Sequence, residues 1–129
     1  MYVRFICDYV HRESARRAGI FQAAAWVEEW RLPTYDDDHL WDLRMWFAEN
    51  LARPTRFTNS KPPYYRRSSR ALSWFRDSAK EHIANAREMA SILERNGLPI
   101  DILMTRKPGY IVYQDEFQVA AEPFADTGA

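Results

Sequence analysis

The stretch RPTRFTNSKPPYYRRSSR, residues 53–70, sets Arg53, Arg56, Lys61, Arg66, Arg67 and Arg70 among Phe57, Tyr64 and Tyr65, with no acid between them. Guanidinium groups present a planar fork that matches carboxylates and phosphates, and aromatic faces stack on bases or pack against apolar side chains. Pro62 and Pro63 hold the backbone extended, which lowers the entropy lost when such a segment is bound. If Ser68 or Ser69 caps a following helix, the first amides of that helix add a positive end beside Arg66 and Arg67. The chemistry on offer is recognition of negative charge. Three readings use the same residues: a contact for an acidic protein partner, a surface for the phosphates and bases of nucleic acid, or a solvated loop neutralised by the chain's own acids. The last has its own support, because residues 28–52 carry a net −5 directly before the net +7 of residues 53–76.

Other chemistry-bearing residues are thinner. In YDDDHLWD, Asp38, His39 and Asp42 fall on one helical turn and offer oxygen and imidazole ligands. No second ligand cluster joins them, and acids at a helix start are explained by the helix dipole without a metal. His82 lies between Ala79 and Ala86 on an apolar stripe; it suits proton transfer only if a carboxylate from another element approaches, and otherwise reads as a hydrogen-bonded boundary histidine. Asp115-Glu116 forms a carboxylate pair at a chain reversal, where acids are common without a cleft to work in. No serine, cysteine or threonine nucleophile motif is present, and Gly19, Gly97, Gly109 and Gly128 are too scattered to cradle a phosphate. The sequence points to no catalytic residue, metal or cofactor, and leans away from an enzyme.

The elements that must position these groups follow from periodicity. MYVRFICDYV is aromatic and β-branched and predicts a strand with Val3, Phe5, Cys7 and Tyr9 on one face. Ile20, Ala23, Ala24, Val27 and Trp30 predict a helix over Glu13–Arg31, weakened by Gly19. A second helix follows PTYDDD, with Thr34 or Asp36 as its cap and Leu40, Leu43, Phe47 and Leu51 as its buried stripe. Residues 53–69 then form a long loop, the length of connection that is usually functional or disordered. The longest helix is predicted from Arg70 to Asn96, stopped by Gly97 and Pro99. Strands follow in IDILMTR and YIVYQDEFQVAAEPF, the second folded back at Asp115-Glu116 with Val112 opposite Val119. The Lys107-Pro108-Gly109 junction reads as a loose connection, or as the end of a strand that pairs elsewhere. Five tryptophans, Trp26, Trp30, Trp41, Trp46 and Trp74, all fall on predicted helices. Trp41 and Trp46 lie off the buried stripe and are candidates for an exposed contact face.

The expectation is a single α+β domain over residues 1–129, in two layers: a small, mostly antiparallel sheet with three helices on one face, and a frayed tail at 125–129. A lone Cys7, with no leader-like N-terminus and no apolar run of membrane-spanning length, fits a cytoplasmic protein that does not engage membranes. The segments SWFRDSAKEHI and KPGYIVYQDEFQVAAEPF resemble a family of short bacterial proteins with a similar Gly-Tyr-Ile/Val-Val-Tyr-x-Asp-Glu ending. The resemblance covers roughly residues 70–126 and implies a small bacterial cytoplasmic domain; the family has no assigned activity, so no functional residue carries over. From the residues themselves, the leading reading is an interaction module that binds an acidic protein partner, or a second copy of itself, through Arg56, Phe57, Lys61, Tyr64, Tyr65, Arg66, Arg67 and Arg70. Nucleic-acid binding by the same residues is the alternative, weakened by a net charge of zero.

Overall fold

A computed structural model describes residues 1–11, 16–27, 30–54 and 71–124. In chain order they form β1 (Tyr2–His11), β2 (Arg16–Gly19), α1 (Ile20–Val27), α2 (Thr34–Asn50), β3 (Leu72–Arg76), α3 (Lys80–Arg95), β4 (Ile100–Thr105), β5 (Tyr110–Gln114) and β6 (Gln118–Glu122). All strand pairings are antiparallel. β1 is the hub of the sheet. Its Tyr2 and Val3 lie between Arg76 and Phe75 of β3 and Thr105 and Met104 of β4, and its Ile6 lies between Gly19 of β2 and Asp101 of β4. β3 and β2 therefore share one edge of β1, one after the other, while β4 takes the opposite edge. The sheet continues from β3 through β6 to β5.

All three helices cover the same side. Val3, Phe5, Cys7, Phe75 and Ile100 of the sheet meet Ile20, Ala23, Ala24 and Val27 of α1, Leu40, Leu43 and Phe47 of α2, and Ala86, Met89, Ala90, Ile92 and Leu93 of α3 in one buried cluster. Full burial of each large aliphatic side chain contributes roughly 1.5–3 kcal/mol, so this layer contact is the main stabilising feature. The α+β, two-layer architecture expected from the order of elements is the one observed, with a six-stranded sheet.

Two helices are shorter than their periodicity predicts. Residues 16–19 pair with β1 as β2, and α1 begins only at Ile20. Gly19 is a weak helix former, and a strand edge satisfies its backbone instead. Residues 72–76 form β3, so the predicted Arg70–Asn96 helix is confined to Lys80–Arg95. Leu72-Ser73-Trp74-Phe75-Arg76 has a strand on each side, β1 and β6, and that pairing outweighs the apparent helical spacing of Phe75 and Ala79. Trp74 is thus a strand residue. Ser68 and Ser69 cannot cap α3, whose N-cap is Ala79, so the helix-end anion site expected beside Arg66 and Arg67 is not formed by it.

The ends of the helices show which local signals held. Gly97, at φ 93°, ends α3 as expected: its N–H donates to Glu94 O at 3.1 Å and the Leu98 N–H reaches Leu93 O at 2.9 Å, the paired bonds of a Schellman cap. At α2, neither Thr34 nor Asp36 is the cap; Pro33 holds that position, where a proline's fixed φ suits a helix entry. The final hairpin also differs from its predicted register. Gln114 lies opposite Val119 and Tyr113 opposite Ala120, with a shift between Ile111 and Tyr113 that takes Val112 out of line. The reason is Asp115, whose Oδ1 accepts the N–H groups of Phe117 at 2.9 Å and Gln118 at 3.0 Å. That side-chain turn is longer than a two-residue reversal. β4 pairs with β1 and not with β5, the alternative left open at the Pro-Gly junction.

Candidate functional site

Arg56, Phe57, Lys61, Tyr64, Tyr65, Arg66, Arg67 and Arg70 lie outside the described residues. Both flanks of their segment are described, and both are tied to the β3–β6 ladder. α2 closes at Leu51, whose N–H donates to Phe47 O at 2.9 Å. The next residue, Ala52, gives its carbonyl to Gln118 Nε2. Gln118 stands opposite Phe75 in the β3–β6 ladder, and Leu72, at the segment's return, pairs with Ala121 in the same ladder. Leu51, Ser73, Trp74, Phe75 and Gln118 line one cavity in the fork where β2 and β3 part from each other along β1. Exit and return are therefore tied to the two ends of one short ladder.

The exit end is held by a polar bracket. Gln118 is 3% exposed and uses its amide on both Ala52 O and Asp115 Oδ2, the latter at 3.1 Å. Asp115 Oδ2 also accepts the Tyr113 hydroxyl at 2.8 Å, and the Asp115 carbonyl accepts Arg76 Nε at 2.8 Å. Burial pushes the Asp115 carboxyl up, but the hydrogen bonds from the Phe117 N–H, the Tyr113 hydroxyl and Gln118 outweigh it and hold the group below its ordinary value. The same bond to Asp115 raises the Tyr113 phenol. Asp115 is fully engaged as a turn-former, while Glu116 is exposed, so the two carboxylates of the reversal do not act as a pair.

His82 is built into the core. It is 4% exposed, and Nε2 donates to Asn50 O at 2.8 Å. The ring stacks on Phe117 at 4.2 Å and meets Trp46 edge-on at 4.8 Å, with Phe47 and Phe75 at 6.2 and 6.3 Å. A carbonyl only accepts, so Nε2 carries the proton; the imidazole closes the last turn of α2. The adjacent cavity, about 50 Å³, is far below the several hundred Å³ of a metabolite site.

The acids of α2 are divided between packing and surface. Asp36 is buried and receives Arg95 Nη2 at 2.7 Å and Asn96 Nδ2 at 3.0 Å from the end of α3. Those bonds lower its carboxyl below the ordinary value. His39 Nε2 engages Glu88 of α3 at 3.2 Å, so it turns toward α3. Among the described residues, no three of His, Cys, Asp and Glu are arranged to hold a metal. Asp37, Asp38 and Asp42 stay exposed around Trp41, one of the two candidates for an exposed face, which is 54% exposed. Trp46, the other candidate, is half-buried against His82 and Phe47.

Sequence reasoning had no means of finding Gln118. One glutamine in an apolar strand resembles any surface residue, and its role exists only because β6 passes the end of α2. Among the described helices none is long and apolar enough to cross a membrane. No protein-family model, curated protein or solved structure matches this chain.

Proposed function

We propose that this domain is a non-enzymatic interaction module that docks an acidic surface of a protein partner onto the stretch 53–70, in the bacterial cytoplasm. The observation that supports it is a run of six basic residues without an acid, whose exit at Ala52 and return at Leu72 are bound to the same β3–β6 ladder. A scaffold that ties both ends of a charged, proline-rich segment reduces the entropy lost on binding. A protein partner fits better than nucleic acid because the exposed acids of α2 directly precede the segment. They repel a long polyanion, whereas an acidic patch on a folded protein is confined in extent. His82 is committed to Asn50 and an aromatic wall, which removes the one histidine placed for proton transfer. The buried single Cys7 accords with a reducing compartment.

The test is fluorescence anisotropy with two labelled probes, a Glu/Leu-rich peptide and a mixed-sequence single-stranded oligonucleotide. Each is titrated with wild type and with Arg66→Ala/Arg67→Ala/Arg70→Ala at low and moderate salt. The expected result is peptide binding that the triple variant loses and that Tyr64→Ala/Tyr65→Ala weakens, with no oligonucleotide binding at moderate salt. Oligonucleotide binding that falls steeply with salt and vanishes in the triple variant makes the segment a nucleic-acid surface instead. Binding of neither probe makes it a plain connection.

A further inference from the structure

The edges of this sheet are not alike. β5 carries a register shift between Ile111 and Tyr113, and β2 is only four residues long, two of them arginine. Bulges, short length and charge are the usual means of keeping a strand edge from pairing with another chain. β4 has none of them along its middle. It pairs with β1 without interruption from Ile100 to Thr105, and among the described residues β1 is its only strand partner. Its charges stand at the ends, Asp101 on one side and Arg106 and Lys107 on the other, leaving Ile102-Leu103-Met104-Thr105 uncharged. Ile102 and Met104 lie opposite Phe5 and Val3, so they occupy the helix-covered side of the sheet. They are nevertheless 39% and 61% exposed, because the helices do not reach that far.

We propose that β4 is a self-pairing edge, and that its occupant is β4 of a second copy of this chain. The argument rests on symmetry. Two identical strands side by side and antiparallel are related by a two-fold axis perpendicular to the sheet, which keeps the helix layers of both copies on one side. Residues opposite one another then point to the same side, so a residue must pair with one an even number of positions away, and one residue sits across from itself. With Leu103 on the axis, Ile102 meets Met104 of the second copy, and Met104 meets its Ile102. Asp101 faces Thr105, and Ile100 faces Arg106. This register uses the whole strand, covers both exposed apolar side chains twice over, and sets no like charges together. Shifting the axis by one position to Met104 sets Ile102 opposite Arg106; shifting it to Ile102 removes Arg106 from the pairing and sets Asp101 opposite Leu103. Two six-stranded sheets would join into one continuous sheet.

The test combines sedimentation equilibrium with crosslinking. Wild type is expected to shift from monomer to dimer as concentration rises. Met104→Lys and Ile102→Lys, both at exposed positions, are expected to weaken dimerisation at least about tenfold each while leaving the circular dichroism and melting curve intact. Leu103→Cys is expected to give a covalent dimer with a short bis-maleimide, because it faces itself across the axis. Wild type is expected to give none, since its Cys7 is buried. A wild type that stays monomeric at every concentration overturns the proposal. So does a dimer that survives both lysine substitutions, or a Leu103→Cys protein that dimerises without crosslinking, because each places the contact elsewhere. None of these readouts depends on the 53–70 segment, so the peptide-binding experiment and this one fail independently.

Discussion

Gly97 and Gly109 both adopt positive φ, at 93° and 130°, yet they do so for different reasons. A Cβ at Gly97 would meet nothing within 4 Å, whereas one at Gly109 would fall 1.9 Å from the Glu122 carbonyl oxygen. Gly97→Ala therefore carries only the backbone penalty, about 1–2 kcal/mol. Gly109→Ala must also push β6 away from the start of β5, and is expected to exceed about 3 kcal/mol. Urea unfolding of the two variants measures the difference; equal costs would mean that the close approach at Gly109 is not maintained. The two depressed carboxyls also make an acid-side signature. For Asp36 and Asp115 the folded-state pKa lies below the unfolded one. The stability they contribute is thus complete above the unfolded value, near pH 4, and is lost as pH falls through the folded values. Asp36→Asn and Asp115→Asn are expected to melt below wild type at neutral pH, with the gap closing under acid conditions. A gap independent of pH would assign the loss to geometry and not to charge.

Between elements, His82 and Gln118 perform related tasks, since each takes a carbonyl near the end of α2, Asn50 O and Ala52 O. His82→Ala removes a donor from the part-buried bond to Asn50 O and opens a space among Trp46, Phe47, Phe75 and Phe117, an expected loss of about 2–4 kcal/mol. Hydrogen exchange is the discriminating measurement. The amides of the last turn of α2 should lose protection in this variant ahead of those in α3, and uniform loss would deny the local tie. These ties also mark the limit of what the sequence discloses. The stripe Leu40, Leu43 and Phe47 was legible because one helix face repeats, and Gly97 because a stop signal is local. β3 was not, because Leu72–Arg76 is a strand only by virtue of β1 and β6 on either side. The hairpin register was misread for a similar reason: a single carboxylate, Asp115, sets the turn length through bonds that composition does not reveal. Of the candidate site, the charge pattern was visible in the chain, but the attachment of its two flanks to the β3–β6 ladder was not.

At the scale of the molecule, the proposed contact regions and the core are spatially separate. The helix layer and the inner side of the sheet hold the common core, while the flanks of the 53–70 segment attach to the β3–β6 ladder and β4 lies on the edge of β1 opposite β3. A domain arranged this way is expected to tolerate change at either proposed contact surface without loss of its core. Partner binding and self-pairing are thereby separable by substitution, and the two sets of surface variants above should leave the melting temperature near that of wild type.

The central position of β1 also has a consequence in time. Val3 has no sheet neighbour until Phe75 and Met104 have been synthesised. At roughly 5–20 residues per second, the ribosome leaves this end of β1 unmatched for several seconds, although its other end meets β2 at once. Assembly must therefore close long chain separations before the sheet can exist, which slows folding relative to a helical domain of this size. During that interval this end of β1 is an unpaired, apolar strand segment open to capture by a chaperone or by another copy of itself.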